Sequence, residues 1–426
     1  MNRRMRLVAY LKTGPTANHG GGWRHPDSRL DDILRPERYE AIARLLEGAC
    51  FDAAFFADAF GLPDIHGGSY DSYLRLGGQI SYLDPMTVLP LMARVTRHLG
   101  LGATLSTTFF HPYHLARTLA SLDILSEGRL AWNVVTSATD YEARNFGGAA
   151  IPGRDERYDR ADEVMEACQA LWNGWEADAF VKDKQAGVFI DPAKVHRADY
   201  QGRHVSTRGP LSIPRSPQVG PLIMQAGSSA RGRDFATRWA ELIFITTAGR
   251  DDAAAYVADI RARMEEAGRR PAPVLPACSV VVADSRAQAE ERAAELNALV
   301  EPELEMAVNS NLIGVDLTRP IPTEGVTRQG IQGSWDRVAA SAAKQGVSFV
   351  EATKKPRSLM VGSARDVADQ MEDWFTAEAC DGFVLWPTHF PAMFEDVARL
   401  LVPELQRRGL VQKDYREGTL REKISK

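Results

Sequence analysis

The chain has 426 residues, 44% hydrophobic and 25% charged, with 34 glycines and 23 prolines, enough to bury one large core or two ordinary ones. That excludes disordered, collagen-like and coiled-coil chains. The 51 Lys and Arg stand against 56 Asp and Glu, a net charge of −5 without a run of one sign, so neither a nucleic acid nor an acidic membrane surface is an expected partner.

Four cysteines, Cys50, Cys168, Cys278 and Cys380, stand far apart with no Cys-x-x-Cys pair and read as reduced core residues rather than a disulfide framework or zinc site. No apolar run approaches the roughly eighteen residues of a membrane span, and the first residues lack a signal-peptide pattern. A cytoplasmic protein is expected.

In chain order, apolar runs of strand length without polar alternation occur at 5–10, 53–57, 99–105, 129–135, 221–226, 242–246, 278–283 and 382–386, as expected for strands buried on both faces. Between them lie helical patterns such as Tyr39, Ile42, Ala43 and Leu46, or Tyr256, Val257, Ile260 and Met264. About eight strand–helix units predict an α/β fold with a parallel sheet. The first strand is followed by no Gly-x-Gly-x-x-Gly, which favours a closed (β/α)8 TIM barrel over an open dinucleotide-binding sheet. A plain barrel needs about 250 residues. The surplus is assigned to insertions near 12–35, 173–220 and 300–357, all expected on the C-terminal face of a single domain spanning 1–426, with a hairpin around Gln201-Gly202-Arg203.

Candidate site residues follow from the strand ends. Asp58 ends the second strand among phenylalanines, where a carboxylate is costly unless it meets a donor; a turn cap is the plainer alternative. Thr104 ends the third strand and Asn133 and Ser137 the fourth, small hydrogen-bonding groups suited to a planar, polar, uncharged ring. After the fifth strand, Gly227, Ser228 and Ser229 precede a helix start, with Arg231 and Arg233 following. This pattern fits an anion site or a simple Ser N-cap. Arg154 and Tyr158 lie one helical turn apart and can share a surface directed at a phosphate. His111 and His114 have helical spacing but no third ligand nearby, so no metal is expected. Walker-type and Gly-x-Ser-x-Gly motifs are lacking, which removes the strongest signals for nucleotide hydrolysis and acyl transfer.

The run Gly128-Arg129-Leu130-Ala131-Trp132-Asn133-Val134-Val135-Thr136-Ser137, with Ala143-Arg144-Asn145-Phe146-Gly147, Arg157-Tyr158-Asp159-Arg160-Ala161-Asp162-Glu163 and Gln225-Ala226-Gly227-Ser228-Ser229, resembles the nitrilotriacetate and dibenzothiophene-sulfone monooxygenase branch of the bacterial-luciferase-like flavin monooxygenases. The resemblance extends from Trp23-Arg24-His25 to the tail Tyr415-Arg416-Glu417-Gly418-Thr419.

It implies a two-component monooxygenase: FMN is reduced by a partner NAD(P)H:FMN reductase, bound non-covalently here and reacted with oxygen through a flavin peroxide, so that the cofactor is the oxidant. It further implies a homodimer or homotetramer. Carried over by motif, Asp58, Thr104, Asn133 and Ser137 line the isoalloxazine, and Tyr158, Ser228 and Ser229 hold the ribityl phosphate. The chain departs from the branch at Arg154, where relatives commonly carry His; a phosphate donor survives that change, a proton shuttle does not. His19, His25 and His111 are candidates for proton delivery. A deazaflavin-dependent oxidoreductase and a catalytically silent flavin-binding protein are the alternatives on this barrel; a glycoside-hydrolysing barrel wants two acidic strand ends, and Asp58 alone qualifies.

Overall fold

The computed structural model describes residues 3–247, 249–320, 329–353 and 359–425. Eight parallel strands, β1 (Arg6–Leu11), β2 (Ala53–Phe56), β3 (Gly100–Ser106), β4 (Leu130–Val135), β5 (Leu222–Gln225), β6 (Leu242–Ile245), β7 (Val274–Ala283) and β8 (Gly382–Leu385), pair in sequence order. The barrel closes where β8 pairs with β1, from Arg6 opposite Gly382 to Ala9 opposite Leu385.

Side chains of a strand alternate between faces, and here both faces are apolar. Val8, Phe55, Ala131, Met224, Phe244 and Val384 fill one cluster inside the barrel. Their neighbours Leu7, Phe56, Leu130 and Phe383 pack outward under the helices. The opposite, N-terminal end is plugged by a short helix, Leu420–Ser425, whose Leu420 and Ile424 join the interior cluster. Arg6 Nη2 donates to the Ile424 carbonyl at 2.7 Å, and Leu420 N donates to Gly128 O at 2.8 Å.

The outer helices are α1 (Pro36–Gly48), α2 (Pro85–Val95), α3 (Pro112–Leu125), α4 (Arg154–Trp172), α5 (Ala230–Trp239), α6 (Arg250–Glu266), α7 (Arg286–Ala298), α8 (Pro302–Ile313), α9 (Gln332–Gln345) and α10 (Ala364–Thr376). All four cysteines are free thiols, Cys168, Cys278 and Cys380 of them buried.

Two expectations need correction. The seventh barrel strand starts at Val274, ahead of the expected 278. Its first half lies in the barrel between β6 and β8, whereas Ser279–Ala283 runs on beyond it and pairs in parallel with an extra strand, Leu359–Ser363. The prolines at 273 and 276 disguise this start, because proline is disfavoured within a sheet.

The second correction concerns 173–220, which leaves the C-terminal end of α4 and so enters from the barrel's N-terminal side. There Gln218 Nε2 donates to Asp123 at 2.7 Å and to Leu130 O at 2.9 Å. The stretch then climbs the outside of α4. It forms the predicted hairpin, Tyr200–Gln201 against Ser206–Thr207, with a second one, Phe180–Asp183 against Val188–Ile190. The tip of the predicted hairpin is fastened by the Glu163 carboxylate, which accepts the amides of Arg203, His204 and Val205.

The 12–35 stretch follows β1, and 300–357 follows α7, the helix that returns from the extended end of β7; the described parts of both lie at the C-terminal face. The described part of the latter crosses the mouth of the barrel. Glu303 on α8 meets Ser72 and Arg75 beyond β2, Gly330 N donates to Ala138 O beyond β4 at 2.7 Å, and Arg337 on α9 donates to Thr246 Oγ1 beyond β6 at 2.6 Å.

Candidate active site

At the C-terminal face, three adjacent strand ends build a polar rung. Thr104 Oγ1 donates to Phe56 O at 2.8 Å and accepts Asn133 Nδ2 at 2.8 Å. Both side chains are buried, and Asn133 Oδ1 has no hydrogen-bond partner. A buried carbonyl oxygen left unpaired costs about 1–3 kcal/mol, a cost that a ligand's donor would relieve.

One step above, Ser137 holds a left-handed backbone, φ 49°, that a side chain adopts only under constraint. That constraint aims its hydroxyl at Ser106 Oγ, 3.0 Å away, and at Glu142 Oε1, 3.2 Å away. Glu142 is itself buried and accepts Thr139 Oγ1 at 2.7 Å and the amides of Phe60 and Ala138 at 3.3 Å.

Lys12, just past β1, and Asp58, just past β2, complete an electrostatic triplet with Glu142. Burial pushes the Lys12 ammonium below its ordinary pKa, opposed by the carboxylates of Asp58 and Glu142. Burial raises the Asp58 carboxyl, opposed by Ser81, Lys12 and the Ala59 amide. A rim of aromatic rings surrounds this corner, with Phe109 stacked on Phe146 at 4.4 Å and Phe60 edge-on to Phe110 at 5.4 Å.

Beyond β5 the turn packs backbone on backbone. A Cβ on Gly227 would fall 2.2 Å from Gln225 Nε2 and 2.9 Å from Gly232 Cα, so only glycine fits. Ser229 is the N-cap of α5, its Oγ accepting Gly232 N at 3.2 Å, and Tyr158 hydrogen-bonds the same side chain. Burial raises the Tyr158 phenol, opposed by Ser229 and by the charges of Arg157, Arg231 and Arg154. Ser228 lies under the start of α9, where a Cβ on Gly333 would be 2.0 Å from its Oγ.

The expected residues are therefore brought together in two groups: Thr104, Asn133 and Ser137 with Asp58 just past neighbouring β2, and Tyr158, Gly227, Ser228 and Ser229 at one edge. Arg154 opens α4 on the exposed side of the second group, its charge felt by Tyr158 and its only described ion pair to exposed Asp155, at 3.4 Å.

Arg231 and Arg233, read as anion donors, are already committed. Arg231 binds Asp162 at 2.6 Å and Asp159 at 3.1 Å, and Arg233 binds Asp259 at 2.7 Å. Their neutralisers sit on α4 and α6, far away in sequence. Arg157 went unremarked as a site residue. It is buried beside Tyr158, donates to Pro152 O at 2.5 Å and keeps an unpartnered Nε.

The three candidate histidines have other surroundings. His111 is exposed and caps α3 through Nδ1. His19 bridges Gly21 N and Asn297. His25 is buried against His389.

Lys12, Glu142 and Arg157 are the residues that sequence reading missed. A lone lysine past an aliphatic strand, and a carboxylate and arginine within charged helical runs, look like solvated surface until the barrel closes around them.

The polar rung and the glycine-serine turn thus stand together at the C-terminal face of the barrel. Comparison with known proteins gives the class: residues 15–381 match the family model described as luciferase-like monooxygenase. The dibenzothiophene-sulfone monooxygenase of Rhodococcus erythropolis (strain XP) is 40% identical over 99% of this chain and 96% of its own length. Nitrilotriacetate monooxygenase component A of Aminobacter aminovorans is 34% identical over 95% of this chain and 93% of its own. Among solved structures, a riboflavin lyase with modified FMN and riboflavin superposes with a TM-score of 0.91 at 33% identity, covering 99% of this chain and 96% of that one. The chain belongs to the luciferase-like monooxygenases and is a flavin-dependent oxidoreductase of that family.

Proposed function

We propose that this chain binds reduced FMN, delivered by a separate NAD(P)H:FMN reductase, and uses dioxygen to oxidise a small organic substrate by C–N or C–S cleavage or heteroatom oxygenation. The observation that carries the reading is the unpartnered Asn133 Oδ1 at the barrel mouth, an acceptor matched to a ring N–H of the reduced flavin. Asn133 and Thr104 would hold the ring. Ser228, Ser229, Tyr158 and Arg154 would hold the phosphate, with Gly227 admitting the backbone turn. The relative named component A supports a two-protein arrangement.

When bound, reduced flavin supplies the electrons for oxygen activation. The chain's own residues do the rest. Ser137, fixed by Ser106 and Glu142, presents a hydroxyl above the rung. Lys12 Nζ, made more acidic by burial, is a proton donor at the mouth, with Asp58 as its counter-charge. The segment around α8 and α9 excludes water by spanning the strand ends of β2, β4, β5 and β6, as an insertion of one domain, 1–426. Protein that slows the aerobic reoxidation of photoreduced FMN, and consumes substrate only when a reductase and NADH are added, fulfils the proposal. Rapid NADH oxidation by the purified chain alone refutes it.

A further inference from the structure

A second constellation lies on the β8–β1 side of the mouth and uses side chains separate from those assigned to flavin. His25, in the loop after β1, and His389, in the segment after β8, are 5% and 1% exposed. Their rings are 4.5 Å apart, centroid to centroid, at 39°. The Nε2 atom of each is buried with no hydrogen-bond partner. Two such atoms side by side are costly, and packing offers no compensation that two aliphatic side chains would not give more cheaply.

The other ring atoms are in use. His25 Nδ1 accepts the Asp27 amide at 3.2 Å, and His389 Nδ1 lies 2.9 Å from Thr388 Oγ1. Carboxylates flank the pair: Asp27 Oδ2 is 3.8 Å from His25 Nδ1, and Glu295 Oε2 on α7 is 4.0 Å from His25 Nε2. One donor atom from each of His25, Asp27 and His389 can be chosen so that all lie within 4.8 Å of one another. The nearby cation Arg292 is occupied by Asp396 at 2.5 Å.

We propose that His25 and His389, with the carboxylates of Asp27 and Glu295, bind one divalent first-row cation of the Zn2+ type. Two imidazoles with carboxylates favour zinc, copper or nickel over magnesium or calcium. Donors around a zinc ion stand about 3.3–4.2 Å apart, so the His25, Asp27 and His389 donors, within 4.8 Å of one another, need only a small contraction, with Glu295 closing in on His25 from 4.0 Å. Binding through Nε2 moves the His25 ring proton to Nδ1, which then gives up the Asp27 amide and turns to the Asp27 carboxylate 3.8 Å away, an orientation metal-bound imidazoles commonly adopt. The ion would tie together the loop after β1, the segment after β8 and helix α7.

The test uses the full chain, treated with a chelator, desalted and titrated with CoCl2 and ZnCl2. One ion per chain with a dissociation constant below about 10 µM, a visible Co2+ absorption band and a raised Tm are expected, with no response to MgCl2. His389→Leu should weaken binding at least about thirty-fold, and Glu295→Gln by several-fold, while His196→Ala, at an exposed pair with Glu176 between the two hairpins, binds as the parent does. Absence of uptake by the parent overturns the proposal, as does equal uptake by His389→Leu. Should His389→Leu fail to fold, the exposed Glu295→Gln and Asp27→Asn decide, and unchanged affinity in both overturns it.

Discussion

Asn133 spends its amide nitrogen on Thr104, at 2.8 Å, and keeps its carbonyl oxygen buried and unpartnered. The side chain is thus oriented by one neighbour and left with one hydrogen bond to accept, as a preorganised binding group requires. Asn133→Leu removes that acceptor and should weaken reduced FMN by about 1–3 kcal/mol while leaving stability within about 1 kcal/mol, since a buried unpaired atom leaves with it. Anaerobic fluorescence titration beside urea unfolding checks both numbers; unchanged affinity would disprove the rung as the ring's seat.

At the glycine-serine turn the phosphate is separable from the ring. Arg154→Ala should weaken FMN by about 1–2 kcal/mol and leave riboflavin affinity unchanged. Ser229→Ala should do the same and cost about 1 kcal/mol of stability besides, because its hydroxyl caps α5. Equal losses for FMN and riboflavin would move the phosphate elsewhere.

Lys12 and Asp58 should behave as a coupled pair. Lys12→Met or Asp58→Asn alone leaves a buried charge facing one partner fewer and should destabilise by about 1–3 kcal/mol, whereas the double variant should be less destabilised than the sum. Urea midpoints of the four proteins measure the coupling, and strict additivity would refute it.

The raised Asp58 pKa carries a sign that can be tested separately. Between its ordinary 3.8 and its raised value, the folded chain holds a proton that the unfolded chain has released. Its contribution to stability is therefore greatest below 3.8 and is lost as the pH rises through the raised value. The stability of Asp58→Asn relative to the parent should increase over that rise; a decrease would mean that the carboxyl is not raised.

Across the mouth, a Cβ on Gly333 would fall 2.0 Å from Ser228 Oγ, so a side chain there forces one of the two segments to shift. Gly333→Val should lift the start of α9 and leave the barrel folded and FMN bound, with hydrogen peroxide released at the expense of product. Replacing residues 313–332 by a Gly-Ser linker should do the same more strongly. Full coupling of oxygen use to product in both would show that this segment is not a lid.

Much of this was legible in the sequence for a physical reason. Strands buried on both faces must be continuously apolar, so seven of the eight barrel strands stand within a residue of the runs that announce them; β7 did not, because its prolines break the pattern. Asn133 and Thr104 were legible because polar residues closing apolar strands have one place to go. Arg231 and Arg233 were misread because what decides their role, the carboxylates of Asp159, Asp162 and Asp259, is supplied by other helices. The route of 173–220 was hidden for a similar reason: whether an insertion follows a strand or a helix settles which end it leaves, and α4 had to be given its full length first.

The plug formed by Leu420 and Ile424 makes the barrel's lower end dependent on the last residues described, while β1 finds its second neighbour only in β8. During synthesis β1 must therefore wait, one edge open, until β8 has been translated. Until then the first strands present the apolar faces that later become the two sides of the barrel wall, and the nascent chain is a client for whatever holds such surfaces apart. Closure is thus a late event that waits for β8 and the plug helix, and slowing translation between β7 and β8 should lengthen the time that this chain spends exposed to aggregation.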